Sequence, residues 1–220
     1  MFEKIVQKLQ RMSSARSPFD PSSLGDPIAL QTEWTAAKRG GANFRTHRLV
    51  SVASNRMEFR ASLGAKLFYL VFLLAGLGIA TGFSVAILSS GRFSLGPNTI
   101  FPIFVGLVFA VVGGCLFRLG TAPVVFDKRN GYFWRGRKSP DDVFDKRRLK
   151  HVAKLEEIHA LQLISEYVHG NKTSYYSYEL NLVLEDARRV NVIDHGNCTR
   201  LREDAATLAS FLGKPIWDAL

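Results

Sequence analysis

The sequence predicts an α+β membrane protein: a transmembrane helical hairpin joined to a cytoplasmic antiparallel β domain that a C-terminal amphipathic helix closes. Three observations predict it. Residues 67–88, LFYLVFLLAGLGIATGFSVAIL, and 100–117, IFPIFVGLVFAVVGGCLF, are runs of 22 and 18 residues without a charge. After them, apolar residues alternate with polar ones around tight-turn signals. Near the end, Leu201, Ala205, Leu208 and Leu212 recur at helical spacing.

About 20 apolar residues carry a helix across roughly 30 Å of hydrocarbon. The first run is long enough. The second completes the crossing with Asn98, Thr99 and Leu119, so the expected hairpin is 67–119, with spans at 67–88 and 98–119. Buried helices of a soluble core are the competing reading, but such helices carry a polar face. The first 16 residues are charged, and no apolar region with a small-residue cleavage site precedes the first run. That run is therefore expected to be a retained insertion signal. Small residues at intervals of four let helix backbones approach closely. Gly78 and Gly82 on the first span, with Gly106, Ala110 and Gly114 on the second, are the expected packing positions. Neither span holds an ionisable residue, which argues against transport or proton relay.

The flanks set orientation. Residues 1–66 hold 11 Lys/Arg against 5 Asp/Glu, and residues 118–220 hold 17 against 14, while the connector 89–99 holds only Arg92. Basic flanks stay cytoplasmic, so both termini are expected there. The net charge of +10 follows from that rule and suits an anionic inner leaflet. It does not argue for nucleic acid, and no RNA-recognition signature surrounds Phe133, Trp134 and Arg135. The two cysteines, Cys115 in a span and Cys198 in the cytoplasmic part, predict no disulfide and no zinc site.

Before the spans, residues 1–16 place Phe2, Ile5, Val6, Leu9 and Met12 at helical spacing, with Lys4, Lys8 and Arg11 opposite. This is the pattern of a surface helix on a membrane. Residues 17–43, with three prolines, read as a linker. Residues 44–66 read as two short strands around Ser54-Asn55. A lone hairpin is barely stable in water, so these strands are expected to join the later sheet.

Residues 120–220 form the expected β domain. Its first hairpin is VVFDKRNGYFWRGRK, residues 124–138, with Asn130-Gly131 as a two-residue turn. That turn sets Asp127 opposite Trp134 and Phe126 opposite Arg135. Residues 156–168 begin with Ile158 and Ala160 in alternation and then lose the pattern. Tyr176, Tyr178, Leu180, Leu182 and Leu184 share one face of the next strand, and Val190 and Val192 one face of the last. Thr199 or Asn197 can cap the terminal helix, which Gly213 and Pro215 end. About five strands are expected after the spans.

This order resembles that of bacterial membrane-anchored proteins with a pleckstrin-homology-like domain after a two-span hairpin. The chain also resembles, more distantly, the two-span photosystem I assembly factor family. Two short motifs carry that likeness: Phe126-Asp127-Lys128-Arg129-Asn130-Gly131 and Leu208-Ala209-Ser210-Phe211-Leu212-Gly213-Lys214-Pro215. The long segment before the spans departs from that family, and no functional residue carries over. The resemblance implies a bacterial inner-membrane location and a non-enzymatic assembly, scaffold or regulatory role with a protein partner.

No catalytic, metal-binding or cofactor motif is evident. Glu156 and His159 have E-x-x-H spacing, but di-iron bundles use it twice and on helices. Asp194 and His195 are strand neighbours that face opposite ways. The remaining candidates are cations beside the bilayer. Arg135, Arg137, Lys138, Arg147, Arg148 and Lys150, with Lys146 and Lys154 near them, are candidate lipid-headgroup contacts, each worth about 1 kcal/mol at an anionic surface.

Overall fold

The chain runs from an N-terminal strap into a strand hairpin, out through two long apolar helices and back into the same sheet. The computed structural model describes residues 19–90, 96–142, 152–170 and 173–220. The surface helix expected over 1–16 and the cations Lys146, Arg147, Arg148 and Lys150 lie outside the described residues.

Strands β1 (His47–Ala53) and β2 (Arg56–Ala61) form the first hairpin. Helix α2 (Leu63–Ser89) follows after a single residue, and helix α3 (Pro97–Gly120) ends three residues before β3 (Val124–Asp127). The short helix α1 (Pro27–Gln31) lies earlier, in the strap. β2 pairs antiparallel with β3, Met57 opposite Phe126. The two helices are therefore inserted into the connection between neighbouring strands. Both joints are tied by side-chain hydrogen bonds. Ser62 caps α2 by accepting from the Ala65 amide and donates to the Arg45 carbonyl at 2.6 Å. At the other end Arg137 donates to the Arg118 carbonyl and to Thr121 Oγ1, at 2.6 and 2.8 Å. It thereby satisfies one of the carbonyls that a helix C-terminus leaves unpaired.

Both helices are long and apolar enough to cross a membrane, and only 11% and 17% of their most apolar stretches is buried. They meet through small residues. A Cβ on Gly76 would fall on the backbone of Ala110, one on Gly106 against the backbone of Ala80, and one on Gly113 on the backbone of Leu73. Of the expected packing positions, Gly106 and Ala110 lie in this contact. Gly114 touches only the Leu73 side chain, and Gly78 and Gly82 face open space. At 3.6 residues per turn, Gly78 sits roughly 200° around the helix from Gly76, so a G-x-x-x-G two residues out of phase points away from the partner.

β4 (Tyr132–Arg135) and β5 (Val152–Lys154) complete the first sheet, in the order β1-β2-β3-β4-β5. The second sheet holds β6 (Ile158–Val168), β7 (Tyr175–Leu184), β8 (Arg189–His195) and β9 (Ile216–Ala219), in the order β8-β7-β6-β9. All pairings are antiparallel except β6 with β9. β9 is absent from the sequence-based expectation. The chain leaves α4 (Cys198–Leu212) through Gly213 at φ 70°, and the Pro215 carbonyl accepts from the Leu161 amide, which sets the tail beside β6. Asn197, not Thr199, is the cap of α4.

The core lies between the sheets. Phe59, Val124, Phe126 and Phe133 from the first meet Ile158, Leu161, Leu163, Leu180 and Leu182 from the second, with Leu201, Ala205 and Leu208 of α4 packed against them. The β3–β4 register differs from the expected one. Asp127 pairs with Tyr132 and Val124 with Arg135, so the loop is the four residues 128–131. Asp127 Oδ1 accepts from the Arg129 and Asn130 amides, and Gly131, at φ 73°, donates to the Asp127 carbonyl. This side-chain turn displaces the two-residue one. The slip is by two residues, so each side chain keeps its face.

The uneven pattern of β6 has two causes. A register shift against β7 falls between Ile158 and Ala160, so Ile158 and Leu161 both reach the core. The outer face is also covered, because Ala160 and Gln162 are fully buried. The cover is the segment 19–43, expected as a linker and found as a packed strap. Asp20 and Asp26 cap its short helical turns, each followed by a proline. Ala29 of α1 is buried against Ala160, Val183 and Trp217, and Trp34 stacks between Phe19 and Trp217.

Candidate anion site where the helices leave the sheet

The outer face of the second sheet is polar yet buried, and the strap satisfies most of it. Glu179 is fully buried and accepts from the Ala37 and Lys38 amides at 2.8 and 2.9 Å and from Asn181. Gln162 donates to the Glu33 carbonyl, and Arg189 to the Thr35 carbonyl and Glu33. Glu166 accepts from the Gly40 and Gly41 amides, and Tyr175 donates to the Gly41 carbonyl. Gly196 lets the strap turn here, since a Cβ on it would fall on the backbone of Asn43 and Phe44. The strap thus arrives beside the helix ends with a fixed course.

There it closes a cavity of about 440 Å³. One wall is polar: Lys38, Thr46, His47, Arg135 and Asp194. The other is apolar: Phe44 from the strap, Phe68 and Tyr69 from α2, and Leu119 from α3. Arg135 comes from the end of β4. It follows Phe133 on the inner face, but beyond the edge of the apolar core, and is half-buried. Its Nη2 donates to the Val192 carbonyl at 2.8 Å. Among the described residues it forms no ion pair. Burial lowers its pKa from the ordinary value, partly opposed by the Asp194 charge. Asp194 is itself shared, accepting from Asn191 at 3.1 Å and pairing with Lys38 at 3.7 Å.

Two histidines lie here, His47 in the lining and His195 outside it. Burial, then the charges of Arg135 and His195, pull His47 down to about 4. Burial and the charge of Arg45 do the same to His195. Both are neutral near pH 7. His195 Nδ1 accepts from the Asn197 amide at 3.0 Å, and its Nε2 is buried without a hydrogen-bond partner.

Of the cations singled out in the sequence, Arg135 lines the cavity, Arg137 braces the end of α3 and Lys138 is exposed. Lys154 pairs with Glu156. Lys38, His47 and the aromatic wall escape sequence reasoning. Residues 38–43 read there only as the end of a linker, and nothing local indicates that they fold back on the helix ends. The E-x-x-H pair is pulled apart: Glu156 turns to Lys154, while His159 bridges Asp26 of the strap at 2.6 Å and Glu185 at 3.1 Å. Burial lowers the His159 pKa, but hydrogen bonds and charge from those two carboxylates together raise it above its ordinary value. No group of three or more His, Cys, Asp or Glu side chains suited to a metal occurs among the described residues.

No protein-family model, no curated protein and no solved structure matches the chain.

Proposed function

We propose that the chain is an integral protein of a bacterial inner membrane whose pleckstrin-homology-like β domain is a non-enzymatic interaction, assembly or scaffold module on the cytoplasmic face. One observation carries this reading. The helices sit inside the β2–β3 connection with joints of one and three residues. A bilayer around the helices holds the sheets at a set height and angle, which suits a platform for a partner. The apolar helix surface, with Leu67, Val71, Leu74, Phe101 and Phe104 all at least half exposed, needs a hydrocarbon cover, since soluble monomers rarely expose apolar patches of this extent. The positive flanks support both termini being cytoplasmic. The titratable residues drawn together, His159 with Asp26 and Glu185 and Glu179 with the strap amides, are engaged in holding the fold. Co-purification of the full chain from mild detergent tests the reading. A stoichiometric protein partner is expected, and a strictly solitary chain across growth conditions overturns it.

A second reading, contact with anionic lipid at the bilayer surface, is favoured by Arg135, a half-buried cation without a carboxylate partner among the described residues.

A further inference from the structure

We propose that the cavity between the helices and the sheet binds the phosphate group of an amphipathic ligand of net negative charge, with Arg135 and Lys38 on the phosphate and Phe44, Phe68 and Tyr69 against its apolar part. The proposal rests on the lipid reading and names its site.

The argument starts from Arg135. A guanidinium presents five N–H donors in a flat fork suited to phosphate. The Val192 carbonyl takes one donor. A half-buried charge has lost part of its hydration, and an opposite charge must restore that loss. Within the cavity the chain supplies only Asp194, which also serves Lys38 and Asn191. His47 adds no charge near pH 7. The lining therefore holds two cations against one carboxylate, with room for a further anion.

The division of the walls points to an amphipathic ligand. Of the charged groups, Arg135 and Asp194 come from strands and Lys38 from the strap, while Phe68, Tyr69 and Leu119 come from the helix ends. A phospholipid seated at the bilayer edge has the same order, phosphate toward water and chains along the helices. The volume is that of a small-molecule pocket. The site is separate from the β1–β2 and β3–β4 turns, so it is not a basic loop tip spread over the membrane surface.

The test uses the full chain. It is reconstituted in nanodiscs of dioleoylphosphatidylglycerol or of dioleoylphosphatidylcholine, extracted, and read by native mass spectrometry for retained lipid. A second arm titrates inorganic phosphate into the detergent-solubilised protein and follows phosphorus line broadening. The expected result is selective retention of the phosphatidylglycerol, reduced roughly tenfold by Lys38→Glu and by Arg135→Gln and only partly kept by Arg135→Lys, which retains the charge but not the fork. Lys128→Gln, a cation set over the Phe211 ring and away from the cavity, changes nothing. Phosphate broadening that depends on Arg135, with no lipid retained, supports the same site and assigns it to a free phosphate. Binding in neither arm, or binding indifferent to both Lys38→Glu and Arg135→Gln, overturns the proposal. Should Arg135→Gln unfold the chain, Lys38→Glu decides, because Lys38 is 63% exposed and its change leaves the core intact. Carbonate extraction separates the two failures: a chain washed out of the bilayer refutes the membrane reading, while a retained chain without lipid selectivity refutes only the site.

Discussion

Where Gly76 of α2 meets Ala110 of α3, backbone lies against backbone. Where Phe133 meets Phe126, its cross-strand neighbour on the inner face of the first sheet, ring centroids sit 5.0 Å apart and side chains fill the space. The helix pair has no interior to fill, because its outer surface is as apolar as its contact. It gains by close approach and dispersion, which small residues permit. The β domain gains by removing large apolar side chains from water. It also needs the strap to pair a buried polar face, since an unpaired buried polar group is costly. The same chain therefore uses glycine where the apolar helices pair and phenylalanine and leucine where the sheets pack.

The two regions should break in opposite ways. Loss of volume breaks the β domain: Phe133→Ala is expected to cost about 3–5 kcal/mol, read by denaturant unfolding with near-ultraviolet dichroism. Acid comes next and separates the regions further. An unfolded histidine binds its proton near 6.5, whereas folded His47 and His195 do so at about 4. Stability is then full above about pH 6.5 and falls as pH drops toward 4, by ~3 kcal/mol for either group taken alone. The β domain should melt while the helices keep their dichroism in detergent, and His195→Asn should flatten the profile.

Gain of volume breaks the helix pair. Gly76→Leu is expected to cost about 1–3 kcal/mol of hairpin stability, while Gly78→Leu stays within about 0.5 kcal/mol. Disulfide cross-linking between cysteines placed on the two helices measures both, and equal effects would refute the observed contact face. The smallest effect belongs to the strap. His159 has a raised pKa, so its hold on Asp26 is complete below about 6.5 and is lost as pH rises through the folded value. Protease nicking of residues 19–43 should increase at alkaline pH by the equivalent of about 1 kcal/mol or less, and His159→Gln should remove the dependence.

Much of this was legible along the chain. The apolar runs predicted the long helices, although Ser62 starts the first one four residues earlier than composition suggests. Leu180, Leu182 and Leu184 marked the inner face of β7. Asn197, Gly213 and Pro215 bounded α4. The β6 pattern misled because a strand covered on both faces shows no alternation, and the register shift at its start moved Ile158 and Leu161 to one side. The strap misled for a related reason. Prolines and aspartates signal turns, and α1 is built from them, but a packed strap and a loose linker share that composition. Arg135 was visible as a cation soon after the second apolar run, but its burial was not, because burial depends on Val192 and the helix ends.

Residue type and spacing alone specified the two long apolar helices, the run of strands into the terminal helix α4, though not β9 beyond it, and the charge bias of the flanks. All of these follow from residue type and spacing over a few turns, which is local physics. Only the tertiary structure decided which glycines touch, that β2 rejoins β3 around the helices, and that an Ala37 amide finds Glu179 across 142 positions. Those outcomes depend on which distant surfaces exclude water together. The cavity at Arg135 belongs to this second class, since its walls come from the strap, both helices and both sheets.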